Sequence, residues 1–74
     1  MTLQAFNELE PFKQYDLVFT RGDFLEYWID DPKRYVMYSL FMFFVEIEYS
    51  VIENKIIELN SFDDGDLLMK YFFF

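Results

Sequence analysis

Residues 43 to 49 run Phe-Phe-Val-Glu-Ile-Glu-Tyr, so Phe43, Val45, Ile47 and Tyr49 fall on one side and Glu46 and Glu48 on the other. A period of two cannot be a helix face and describes a strand with one apolar side. Residues 55–62 repeat the pattern, with Ile57 and Leu59 on one face and Glu58 and Asn60 on the other, and residues 51–54 between them read as a hairpin loop. Two antiparallel strands are thereby set, and the rest of the chain must be arranged around them.

Upstream, residues 24–30 are rich in β-formers and stop at Asp30-Asp31-Pro32-Lys33, a turn in which Pro presets φ. Residues 34–40 follow as another strand, with a break near Phe41 and Met42. At the start, Thr2 is placed to cap a short helix carrying Leu3, Phe6 and Leu9, and Pro11 discourages its continuation. From Phe12 to Thr20 two readings compete. Pro11 opens a helix that Gly22 closes, or residues 15–20 form a strand with Arg21-Gly22-Asp23 as its turn. The run Leu17-Val18-Phe19-Thr20 favours the strand, and Gly22 then supplies a positive φ. After Asp63-Asp64-Gly65-Asp66, the spacing of Leu67, Leu68, Tyr71 and Phe72 predicts a closing helix with acidic residues at its N-terminus. The sum is one α+β domain over residues 1–74: an antiparallel β-meander of four or five strands flanked by short N- and C-terminal helices.

Tyr38-Ser39-Leu40, Phe43-Phe44-Val45-Glu46, Tyr49, Asn54-Lys55-Ile56, Ser61-Phe62 and then Leu68 and Tyr71, with Arg21-Gly22-Asp23-Phe24-Leu25 upstream, form a pattern over about two-thirds of the chain. It resembles the strand pattern of small uncharacterised bacterial proteins. The resemblance implies a recurrent bacterial fold and brings no activity with it.

Eleven Phe, six Tyr and one Trp are hard to hide in 74 residues, because domains this small bury only roughly 60% of their unfolded surface. With no Cys and no His, neither a disulfide nor a thiolate or imidazole metal site can reinforce the core, which leaves self-association. On strand 24–30, simple alternation puts Phe24 and Trp28 on one face and Leu25, Tyr27 and Ile29 on the other, so both faces are apolar and one awaits a second subunit or a partner. Candidate interface residues are therefore Phe24, Trp28 and Phe44, joined by the aromatic tail Phe72, Phe73 and Phe74, and a homodimer is the favoured assembly.

The net charge of −8, with its six basic residues scattered, lacks the footprint that a nucleic-acid backbone requires. The longest uncharged run, residues 35–45, is too short to span a bilayer, and no basic n-region precedes an apolar stretch, so a cytoplasmic protein away from membranes is expected. Catalysis lacks its usual base and thiol, and Ser39, Ser50 and Ser61 have no evident activator. Glu46 and Glu48 would stand about 7 Å apart, but alternating Glu on a strand is ordinarily solvated surface. The acids at 63–66 read as a helix cap rather than a Ca²⁺ loop, Asp30-Asp31 as a turn, and Arg21-Gly22-Asp23 as a turn rather than an adhesion motif. No catalytic, cofactor or metal residue is expected. The leading functional reading is a non-enzymatic acidic domain that self-associates or binds a protein through an aromatic sheet face. The alternative is an acidic inhibitor or nucleic-acid mimic presenting Glu46, Glu48 and Glu58 to a basic site on another protein; a small-ligand binder with an aromatic pocket is a third.

Overall fold

Thr2 opens the first helix as the sequence predicts: its Oγ1 accepts the Ala5 N–H at 3.1 Å, and α1 spans Leu3–Asn7. The computed structural model describes residues 1–63. Its remaining elements are α2 (Pro11–Arg21), β1 (Asp23–Asp30), β2 (Lys33–Leu40), β3 (Phe43–Ser50) and β4 (Lys55–Phe62). The expected closing helix and the tail Phe72, Phe73 and Phe74 lie outside the described residues.

The strand favoured for residues 15–20 is a helix instead. Pro11 sits in the first turn of α2, where its missing N–H is no loss and its fixed φ is already helical. Helical spacing then turns Tyr15 and Val18 toward the sheet while Lys13, Asp16 and Thr20 face solvent. The Thr20 hydroxyl donates to the Asp16 carbonyl at 2.7 Å, which satisfies it within the helix. Gly22 ends α2 by donating its N–H to the Val18 carbonyl at 2.9 Å, with φ −75° and ψ 148°. That is ordinary extended backbone, so the positive φ expected of Gly22 is not its role.

The four strands form one antiparallel meander in the order β1-β2-β3-β4. Two-residue connections close on Asp30 opposite Lys33 and on Leu40 opposite Phe43, the latter with Phe41 at φ 55°. Residues 51–54 turn between β3 and β4, as the sequence predicts. Both edge strands carry a bulge. Phe24 pairs with Tyr38 and Glu26 with Met37, leaving Leu25 extra; Ile56 pairs with Tyr49 and Glu58 with Glu48, leaving Ile57 extra. It is therefore Ile56, not Ile57, that shares a face with Tyr49.

Both helices lie on the Phe43–Val45–Ile47 side, where Phe6 and Val18 meet Leu40, Phe43, Val45 and Ile47 in the buried core. The Phe6 and Phe43 rings stand 5.2 Å apart, and Gln14 Nε2 donates to the Phe6 carbonyl at 2.9 Å, tying the helices together. The opposite face is not a solvated one. Met37 and Phe62 are buried there, Glu46 is only 1% exposed and Glu48 only 9%, which corrects the expectation of surface carboxylates. Among the described residues no buried side-chain nitrogen or oxygen lacks a hydrogen-bond partner, so these acids belong to the packed interior. Among the same residues no helix is long and apolar enough to cross a membrane.

Candidate interaction face

The three aromatic residues singled out on the strands do not form one patch. Residues paired across antiparallel strands share a face, so Phe24, opposite Tyr38, lies on the helix-bearing side, and its ring meets Tyr38 edge-on at 6.4 Å. Trp28 lies opposite Tyr35 on the other side, stacked on it at 5.2 Å and 11°. Phe44 is on that second side too, stacked on Phe62 at 6.4 Å. Simple alternation placed Phe24 with Trp28; the bulge at Leu25 shifts the phase by one residue and separates them.

The same bulge gathers a different set. An eleven-residue helix is about 16 Å long, whereas an eight-residue strand is about 27 Å, so α2 cannot cover the whole sheet face. The helices sit over the Leu40–Phe43 end, and the other end is open. Val36 and Ile47 form its floor, Phe19, Tyr27, Tyr38, Tyr49 and Ile56 its walls, and Arg34 its rim, around a groove of about 340 Å³. Phe19, at the free side of α2, stacks on Tyr15 at 6.3 Å and meets Tyr38 edge-on at 6.1 Å, so the groove continues an aromatic row that reaches Phe24. Arg34 Nη1 donates to Asp31 Oδ1 at 2.5 Å, and the Tyr49 hydroxyl donates to Asn54 Oδ1, which leaves the groove interior apolar.

Beside this groove the β1 edge is unusually apolar for a strand with no neighbour among the described residues. Phe24 is 61%, Tyr27 54% and Ile29 52% exposed, and Phe19 above them is 55% exposed. Sequence reasoning found Tyr27 and Ile29 but assigned them to the face away from Phe24, and it missed Phe19 and Ile56. The helical spacing of Tyr15, Val18 and Phe19 was the available signal for Phe19. A second, larger hollow of about 640 Å³ is lined by Met1, Leu9, Phe12, Lys13, Asp16 and Leu17. It carries a lysine and an aspartate on its walls and is formed by the N-terminal segment and α2 rather than by the sheet.

Among the described residues no group of three or more acidic, His or Cys side chains is arranged to hold a metal. Ser50 Oγ accepts the Glu53 N–H at 3.1 Å as part of the loop, and the Ser61 hydroxyl donates to Asn7 Oδ1. Glu48 pairs with Lys33 at 3.3 Å, and that hydrogen bond and charge hold the Lys33 ammonium above the ordinary lysine value of 10.5. Glu46, buried, is withdrawn from the acidic row that Glu46, Glu48 and Glu58 were expected to present. No family model, curated protein or solved structure matches the chain.

Proposed function

We propose that this chain is a non-enzymatic interaction module that binds protein, and first of all a second copy of itself, through the open end of its helix-bearing sheet face. The reading is carried by the concentration of exposed apolar side chains on one sheet face: Phe19, Tyr27 and Ile56 line the groove, and Phe24 and Ile29 stand beside it on β1. A buried aromatic side chain covers about 150–250 Å², so five large side chains about half exposed leave roughly 500 Å² to be hidden. That is a substantial part of the roughly 800 Å² that each partner contributes to a standard interface. An occupant must be largely apolar, because among the described residues the groove offers Arg34 alone as a cation and Asp31 already engages it.

Light scattering coupled to gel filtration tests the reading at about 0.1 M and about 1 M salt. The expected result is a species of twice the chain mass at both, and tighter at high salt, since each copy carries a net charge of −8 whose self-repulsion is screened. A monomer at both salts overturns self-association.

A further inference from the structure

Resting on that reading, we infer that the two copies join edge to edge: β1 pairs antiparallel with β1 of the second copy about a twofold axis at Tyr27, making one eight-stranded sheet. The backbone polarity of β1 is the first support. Val51 N–H donates to the Pro32 carbonyl at 3.0 Å, and Pro32 directly precedes Lys33, which pairs with Ser50. Bonded and non-bonded positions alternate along an antiparallel ladder, so Arg34, Val36 and Tyr38 address β3 while Lys33, Tyr35 and Met37 address β1. Their partners Asp30, Trp28 and Glu26 therefore turn their backbone groups inward to β2, and Tyr27 and Ile29 turn theirs outward. These two residues also carry half-exposed side chains on the open face. The same positions thus offer both a hydrogen-bonding template and an apolar surface to an added strand.

Charge selects the register. An axis at Trp28 would set Glu26 opposite Asp30 of the second copy, and like charges directly opposite are destabilising. An axis at Ile29 would set Tyr27 opposite Asp31, which lies beyond the end of β1. An axis at Tyr27 sets Tyr27 against itself and Glu26 opposite Trp28, with no acidic pair in register over these residues, and the bulge at Leu25 ends the regular ladder beyond them. It also brings the exposed Tyr27, Ile29 and Phe24 side chains of both copies together, continuing the apolar face across the axis. The assembly closes at two. A twofold contact uses the β1 edge of both copies, and at the opposite edge the Ser61 hydroxyl of β4 donates to Asn7 Oδ1 of α1.

The chain has no cysteine, so variants with a single introduced thiol report position cleanly. In this register the two residues at position 27 form a hydrogen-bonded pair with Cα atoms about 5.5 Å apart, inside the roughly 4.4–6.8 Å that disulfides span. Mild oxidation should link Tyr27→Cys into a covalent dimer and leave Ile57→Cys, on the far edge, as single chains. As a second variant, Ile29→Pro keeps an apolar side chain but removes an outward N–H that β2 does not use; it should weaken dimerisation at least tenfold with an unchanged far-UV circular dichroism spectrum. Suppose the wild type is a dimer by light scattering, but the Ile57→Cys variant links while Tyr27→Cys does not, or Ile29→Pro leaves the dimer intact. Either result overturns edge pairing while self-association stands. A wild-type monomer overturns both.

Discussion

Substituting Gly22→Ala sets two physical effects against each other at one atom. The backbone of Gly22, at φ −75° and ψ 148°, is accessible to any residue. In open space, then, Ala would stabilise the protein by about 0.4–1 kcal/mol, by reducing the freedom of the unfolded chain. The space is not open. A Cβ added at Gly22 would stand 2.5 Å from the Val18 carbonyl oxygen and 3.4 Å from Tyr38 Cβ and Cδ1. Val18 is fully buried, and its carbonyl already accepts the Gly22 N–H, so the oxygen cannot withdraw without disturbing both the core and the end of α2. Reaching an ordinary contact takes a shift of about 0.9 Å, and forced repacking of this kind costs about 1–3 kcal/mol. The clash outweighs the entropy gain and the expected net loss is about 1–2 kcal/mol, which in a domain this small lowers Tm by about 5–15 °C. Thermal unfolding followed by far-UV circular dichroism reads it directly. A Tm equal to or above that of the wild type would refute the claim that the close approach of Gly22 to the Val18 carbonyl and to Tyr38 is what requires glycine here.

Asn54 holds φ 52° and accepts the Tyr49 hydroxyl through Oδ1, so Asn54→Ala should lose about 1–2 kcal/mol for the left-handed backbone and about 1 kcal/mol for the bond, whereas Asn54→Gly loses the bond alone. Equal urea midpoints for the two variants would contradict that assignment. Phe6→Ala removes a fully buried ring that packs on Phe43 and should cost about 3–5 kcal/mol, while the half-exposed Ile57→Ala loses far less; urea titration of both variants reads the contrast, and equal losses would contradict it. Lys33 is held above its ordinary value of 10.5 by its hydrogen bond to Glu48, so its contribution to stability is complete below pH 10.5 and is lost as pH rises through the higher folded-state value. The difference in stability between Lys33→Met and the wild type should shrink above pH 10.5; a constant difference would show that the pair is not linked to the Lys33 proton.

The α+β class, the Thr2 cap, the turn at residues 30–33 and the loop at residues 51–54 were all legible because each depends on neighbours in sequence: a side chain bonding a few residues ahead, a fixed proline φ, or a short alternation. The helix at residues 11–21 was the first failure. The strand preference of Leu17-Val18-Phe19-Thr20 spans only about 1 kcal/mol, and it yields to a helical register that places Tyr15 and Val18 against the sheet. The grouping of Phe24 with Trp28 on one face failed for a different reason. A period-two count assumes that every residue is paired, and the extra residues Leu25 and Ile57 break that assumption without any mark in the local sequence, so Phe24 and Trp28 part to opposite faces and Ile56 replaces Ile57.

What the sequence alone determined was therefore the inventory of strands and the existence of an apolar surplus: eleven Phe, six Tyr and one Trp, no cysteine or histidine, and strands with more hydrophobic positions than one small core can hold. Which face keeps that surplus exposed was decided only in three dimensions. Alternation separates two sides of a strand but does not say which side meets solvent, and so Glu46 and Glu48 are interior while Phe24, Tyr27 and Ile29 are not. The physical reason is that burial is set by what packs above a residue. A helix of eleven residues laid over the Leu40–Phe43 end of a longer sheet leaves the other end, and the outward backbone of β1, without a described neighbour.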